Sequence, residues 1–298
     1  MKLLSDFDGV WTYPDAEGAA HGAELDLALE GLADERERPQ VRAWIRAARD
    51  AVRAAPGRWG WSVSGRVSAF ADEDPFTEHG ALLHFLDEQR RNDPIAARLA
   101  QAIEARGTSL DGFGGLAHVG GVRKVEASRG PGITRAAADA GHALLRAGVE
   151  IVVVSNSGTE KLQRWFAHAG VPATIHPERA PRALRLRGSA RKFVLDPAGA
   201  DPIAVGGLTV DVARPDYSRV LHEELPGAVV GDVFSIDLGL PLALKRREPA
   251  WRDVRLFWLV HPYTPARMRA EIARLPAGEV EAVEGGLPAV AERLRPSG

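Results

Sequence analysis

Short apolar runs that break off into polar or acidic residues, separated by segments of helical hydrophobic period, set the rhythm of both ends of this chain. Leu3 and Leu4 open the first run, which stops at Ser5-Asp6-Phe7-Asp8-Gly9, as a buried strand does where charge begins. Val149-Glu150-Ile151-Val152-Val153-Val154 is a β-branched stretch suited to a central parallel strand, and it ends in Ser155-Asn156-Ser157-Gly158. Gly227-Ala228-Val229-Val230 leads into Gly231-Asp232-Val233-Phe234-Ser235-Ile236-Asp237, read as another short strand finishing in acids. Around these runs the pattern predicts helices over 133–147, 159–169, 215–225, 240–246, 265–275 and 288–294, and strands over 173–176, 254–260 and 280–283. Residues 192–195 and 208–212 flank a turn rich in proline and glycine and are expected as a hairpin or an extended sheet edge. This alternation is the grammar of an α/β protein with a doubly wound parallel sheet.

Between Thr12 and about residue 130 the rhythm changes. Residues 13–18 read as a turn-rich exit from the first strand. Val41, Trp44, Ile45, Ala48 and Val52 share one face of a helix expected over 35–54. Residues 57–70, with Trp59 and Trp61, give no clear assignment, and packing is the expected role of both rings. A helical pattern over 77–105 is expected to break at Asn92-Asp93-Pro94, because proline disfavours helix in its predecessor. The glycine-rich stretch 107–132 lacks a Gly-Lys-Ser or Gly-Lys-Thr ending and a strand-to-helix setting, so it is expected as a hinge or return linker rather than a phosphate cradle. The expected organisation is therefore a core of residues 1–13 and 130–298, with a mostly α-helical insertion over 14–129.

Composition narrows the function classes. The 298 residues carry a formal net charge of only −2, so no global field recruits nucleic acid or an anionic membrane. There is no cysteine, which removes disulfides, thiolate chemistry and cysteine-based zinc sites. No pair of histidines has the spacing of a helical zinc site. No stretch reaches the roughly eighteen apolar residues of a membrane span. One lysine and two leucines before Asp6 are too few for a signal-peptide core, and a cytoplasmic enzyme is expected.

The polar strand ends carry the chemistry. Asp6 and Asp8, one residue apart on an extended backbone, project to the same side, beyond the carboxyl end of a strand where open α/β sheets bind ligands. Two like charges so close become favourable when a hard divalent cation sits between their oxygens. Downstream come Ser155 at the end of an apolar strand, the basic Lys192, and Asp232 with Asp237 after a third run. This ordered set resembles the haloacid dehalogenase superfamily of phosphohydrolases and phosphotransferases, which is marked by Asp-X-Asp after the first strand, a strand ending in Ser or Thr, a Lys or Arg, and Gly-Asp with a further Asp. The likeness covers roughly residues 1–13 and 130–240.

The resemblance implies a role for each residue. Asp6 matches the nucleophile that forms an aspartyl-phosphate, and Asp8 the acid/base that serves the leaving group and then water. Asp8 also separates the chain from the dehalogenating branch, which lacks this second carboxylate. Asp232 matches a Mg²⁺ ligand acting with Asp6 and the backbone carbonyl of Asp8, with Asp237 as supporting acid at the metal or behind it. Ser155 and Asn156 match the phosphate-oxygen donors. Lys192 is the preferred basic residue at the phosphoryl group, with Arg214 as its rival. The insertion matches a cap that closes over substrate. The implied protein is a capped, Mg²⁺-dependent phosphatase acting on a small phosphorylated metabolite. Its alternatives are a phosphotransferase or phosphomutase with the same chemistry, and a non-catalytic binding protein on the same fold.

Overall fold

A computed structural model describes residues 1–295. Two compact units emerge, one formed by Met1–Tyr13 with the chain from Pro131 onward, the other by Pro14–Gly130.

The chain enters the first unit through β1 (Lys2–Ser5) and then leaves it for the second. The second unit contains α1 (Asp15–Glu30), α2 (Arg38–Ala54), a hairpin of β2 (Gly60–Val63) and β3 (Arg66–Phe70), α3 (Thr77–Gln89), α4 (Pro94–Glu104) and α5 (Leu110–Arg129). Its core is made by Leu25 and Leu29 of α1, Val41, Ile45 and Ala48 of α2, Leu82 and Leu86 of α3, Leu99 and Ile103 of α4, and Phe113 and Ala117 of α5. Asp93 caps α4, its carboxylate accepting from the N–H groups of Ile95 and Ala96, which is where the sequence breaks the helix. Trp59 is buried with Val52, Ala71 and Ala81, edge-on to Phe85 at 4.9 Å.

Two expectations fail in this unit. Residues 13–18 are not a turn-rich exit, because α1 starts at Asp15, and 107–132 is not a linker, because α5 runs for 20 residues through five glycines. Glycine is a poor helix former in isolation, costing about 1 kcal/mol each relative to alanine. Here it lets α5 approach α1 closely: a methyl group on Gly121 would stand 2.6 Å from the backbone nitrogen of His21. Tertiary contact overrides propensity.

The first unit resumes with α6 (Arg135–Arg146), β4 (Glu150–Val154), α7 (Thr159–His168), β5 (Ala173–Ile175), β6 (Leu184–Arg187), a hairpin of β7 (Pro202–Val205) and β8 (Leu208–Asp211), and α8 (Pro215–Glu224). It finishes with β9 (Ala228–Gly231), a π-helical turn over Phe234–Leu238, α9 (Gly239–Arg247), β10 (Arg255–Leu259), α10 (Ala266–Ile272), β11 (Glu281–Val283) and α11 (Gly286–Leu294). The sheet has seven strands in the order β11-β10-β9-β1-β4-β6-β5, every pair parallel. The fold is thus α/β with a doubly wound parallel sheet. Leu3, Ile151, Val153 and Val230 are fully buried, as strands covered on both faces require.

The sheet differs from the sequence pattern in two places. Residues 192–195 are not a strand, and the edge hairpin pairs β8 with 202–205 instead. The sheet position falls to β6, Leu184-Arg185-Leu186-Arg187, whose arginines disguise it. Arg185 is buried and forms paired bonds of 3.0 and 2.6 Å to the equally buried Glu224, with a 2.6 Å bond to Glu150. These bonds offset the cost of burying the charges, although Arg185 Nε is buried without a hydrogen-bond partner among the described residues.

β1 lies at the centre, between β4 and β9. The chain winds outward on one side through β4, and later on the other through β9. The loops leaving β1, β4 and β9 therefore open from one end of the sheet at its switch point, where such folds hold ligands.

Candidate active site

Asp6 follows directly on β1, its N–H bonded to the Val230 carbonyl at 2.9 Å, so its position is fixed by the β9 edge. Lys192 reaches it from a point 186 residues away in sequence, with Nζ 2.6 Å from Asp6 Oδ1 and 2.6 Å from Asp237 Oδ1. Lys192 is buried, and so is Asp237. One ammonium thus bridges two carboxylates out of water. Burial pushes the lysine pKa down, but Asp237 and Asp6 outweigh it and hold the group above its ordinary value, charged throughout the physiological range. Burial and then the neighbouring Asp237 push the Asp6 carboxyl up to about 8, against the pull of Lys192. More negative charge is gathered here than one lysine offsets.

Asp232 completes the acidic group. Oxygens of Asp6, Asp232 and Asp237 all lie within 4.8 Å of one another. Asp232 is held at both ends: Trp258 donates to its backbone carbonyl at 2.8 Å, and the Tyr263 hydroxyl to Oδ2 at 2.8 Å. Tyr263 stacks on His261 at 5.0 Å, and a His261 ring nitrogen lies 2.7 Å from the Gly9 carbonyl. Gly9 has φ +73°, and a methyl group there would lie 2.1 Å from Asp232 Oδ2. Only glycine serves after the second aspartate, for conformation and for space.

Asp237 sits on the π-helical turn that follows β9, not at the end of a strand as the sequence pattern suggests. The extra residue of a π-turn turns its side chain back, so that Oδ2 accepts from the Val233 N–H at 3.1 Å while Oδ1 faces Lys192. Gly231 is required beneath it, since a Cβ there would meet the Asp237 side chain at 2.4 Å. Tyr217 donates to the Asp237 carbonyl at 2.9 Å, and burial raises the phenol's pKa, keeping it a donor.

The two basic candidates divide in role. Lys192 meets Asp6, whereas Arg214 Nη1 donates to the Lys192 carbonyl at 2.7 Å. Arg214 therefore braces the lysine's backbone. Asn156 does the same from the other side, its Oδ1 accepting from the Lys192 N–H at 2.8 Å. The amide expected to face phosphate commits its carbonyl to the loop that carries the lysine. Ser155 is buried at the end of β4, and its hydroxyl accepts from the Ser157 N–H at 3.0 Å, shaping the turn into α7.

The Asp8 side chain stands outside the acidic group. Ser157 donates to its Oδ2 at 3.1 Å, and Lys161 Nζ lies 3.7 Å from Oδ1. Two carboxylates one residue apart are thus sent to different partners: Asp6 to the buried lysine, Asp8 to the rim of the site. Sequence reasoning did not single out Ser157, Tyr217, Tyr263 or His261. Nor did it single out Lys161, which lies in the first turn of α7 with Nζ 3.5 Å from the Ser157 hydroxyl oxygen.

No protein-family model matches the chain, and no curated protein is similar to it. Among solved structures, the chain is similar to YfnB from Bacillus subtilis, assigned to the HAD-hydrolases and bound to magnesium, with 13% identity over 87% of each chain and a TM-score of 0.36. It is also similar to the defluorinating L-2-haloacid dehalogenase Rha0230, with 15% identity over 99% of this chain and 95% of that one and a TM-score of 0.37.

Proposed function

We propose that the protein is a Mg²⁺-dependent phosphatase of the haloacid dehalogenase type, hydrolysing a small phosphomonoester through an aspartyl-phosphate. The observation that carries this is the meeting of Asp6, Asp232 and Asp237 around Lys192, with a second acid, Asp8, standing apart on Ser157. The donor set suits a hard divalent ion, being all carboxylate oxygen, mostly buried and short of positive charge. Asp6, Asp232 and the backbone carbonyl of Asp8 would hold Mg²⁺, and Asp237 stays with Lys192. When bound, the ion would supply positive charge to the phosphoryl oxygens and keep Asp6 ionised.

The residues of the chain perform the rest. An oxygen of the Asp6 carboxylate attacks phosphorus as the ester P–O bond breaks, and Asp8 passes its proton to the departing oxygen, which leaves as an alcohol. Lys192, fixed by Asp6, Asp237, Asn156 and Arg214, retains one N–H for a phosphoryl oxygen, and Ser155 lies at the same end of the sheet. Asp8, now a carboxylate, takes a proton from water. The water oxygen attacks phosphorus, the bond to Asp6 breaks, and phosphate leaves with Asp6 restored. Asp8 supports ester hydrolysis over carbon–halogen cleavage, since it supplies the proton that an alkoxide leaving group needs and a halide does not. Residues 14–130 are read as the cap, and substrate choice as its property.

The test is phosphate release from a panel of phosphomonoesters with Mg²⁺ and with EDTA, run beside Asp6→Asn. Mg²⁺-dependent release that the variant lacks is expected. Equal release by variant and parent would remove the assignment, and transfer to an added alcohol in place of water would make the protein a phosphotransferase.

A further inference from the structure

The proposed mechanism leaves Lys161 without a task, yet its setting is a built one. It lies in the first turn of α7, with Nζ 4.6 Å from the centre of the Trp165 ring and 5.6 Å from that of Phe7. Both rings are fully buried and meet edge-on at 5.7 Å. They form an aromatic wall against which the ammonium is held. From there Nζ lies 3.7 Å from Asp8 Oδ1 and 3.5 Å from the Ser157 oxygen, while Ser157 donates to Asp8 Oδ2. Ser157 is itself set by its N–H bond to the Ser155 hydroxyl.

The two oxygens of Asp8 are thereby made unequal. Oδ2 is tied to Ser157, whereas Oδ1 is shielded from solvent and accepts no hydrogen bond, having only the ammonium at ion-pair distance. Lys192 cannot substitute, since it is committed to Asp6 and Asp237.

We infer that Lys161 and Ser157 clamp Asp8 for proton transfer to the leaving group. Lys161 is a positioning residue, and the inference rests on the phosphatase reading above. As the P–O bond to the leaving group breaks, the proton passes from the Asp8 carboxyl to the ester oxygen, and the electron pair left on Asp8 becomes a carboxylate charge beside the ammonium. The attraction is greater after transfer than before, which is the condition for it to accelerate the step. A basic alkoxide leaving group requires that proton, and an acidic phenol does not. The clamp therefore favours esters of ordinary alcohols, the class to which sugar and polyol phosphates belong.

The experiment measures kcat and KM of the full chain with Mg²⁺ on p-nitrophenyl phosphate and on the best alkyl phosphate of the panel. Lys161→Met preserves the contact with Trp165 and Phe7. It is expected to lower kcat on the alkyl ester by about 100-fold, the scale of lost general-acid assistance, and on the aryl ester by no more than about threefold, with KM little changed. Lys161→Arg should recover part of the loss. Ser157→Ala should show the same split in milder form, and it carries the test if the methionine variant does not fold. An equal fall on both esters, or a change confined to KM, overturns the clamp and leaves the phosphatase reading standing. A parent protein that hydrolyses neither ester overturns both.

Discussion

The carboxylate of Asp232 lies over the α-carbon of Gly9, close enough that a methyl group there would sit 2.1 Å from Oδ2. The loop after the first strand and the loop after β9 are thus fitted to each other across 223 residues of sequence, the difference between positions 232 and 9. Gly9→Ala must either displace Asp232 or leave the left-handed region, whose cost for a non-glycine residue is about 1–2 kcal/mol. We expect a modest fall in melting temperature but a loss of turnover of 100-fold or more. An alanine variant with parental kinetics would show that the acids need not be so placed.

Lys192 bridges two carboxylates in the interior, and removing it leaves both without a counter-charge. Deleting one partner of a buried ion pair costs about 3–5 kcal/mol. Lys192→Met should therefore lower the urea midpoint markedly as well as abolish activity. Arg214→Ala, which removes the bond to the Lys192 carbonyl but leaves the ammonium between its two carboxylates, should lose turnover while costing less stability. Urea titrations of both variants at neutral pH measure the difference.

Divalent-ion binding should read out directly as stability. An ion at 100 times its dissociation constant adds about 2.7 kcal/mol, so Mg²⁺ should raise the melting temperature of the parent and EDTA should return it. Asp232→Asn should abolish the shift while leaving the metal-free melting temperature near that of the parent. A shift that persists in this variant would place the ion elsewhere.

The second unit holds a cluster of histidines. His21 and His79 face each other at 4.6 Å, and His118 lies 5.1 Å from His21. Burial, then neighbouring His79, lowers the His21 pKa to about 3; burial, then Arg49, lowers that of His79 to about 4. Both values lie below the unfolded value of 6.5, so the unfolded chain binds more protons below that pH. Their contribution is whole above pH 6.5 and is lost as the pH falls towards 4 and 3, by up to about 1.4 kcal/mol per pH unit for each group. Thermal melting between pH 7 and 4.5 should show the fall, and His21→Leu should flatten it.

The sheet was largely legible in the sequence, because β-branched runs that end abruptly in polar residues suit buried parallel strands. Val149–Val154 and the run before Asp232 fall at β4 and β9, and the topology brings Asp6, Lys192 and Asp232 together. Illegible were the elements whose local pattern contradicts their setting. β6 carries arginines that Glu224 and Glu150 neutralise only in three dimensions. α5 is rich in glycine because α1 lies against it. The division of labour between Lys192 and Arg214 was equally hidden, since it depends on which atom each cation reaches.

The central place of β1 has a consequence for synthesis. On a ribosome this strand emerges well ahead of its two neighbours, which begin only at Glu150 and Ala228, so its edges wait for the residues between to follow. The unit over Pro14–Gly130 is contiguous and can complete itself in that interval. The pocket of acids, by contrast, is closed only when β9 arrives, so the nascent chain acquires its shape in two instalments and its charge-gathering chemistry in the last.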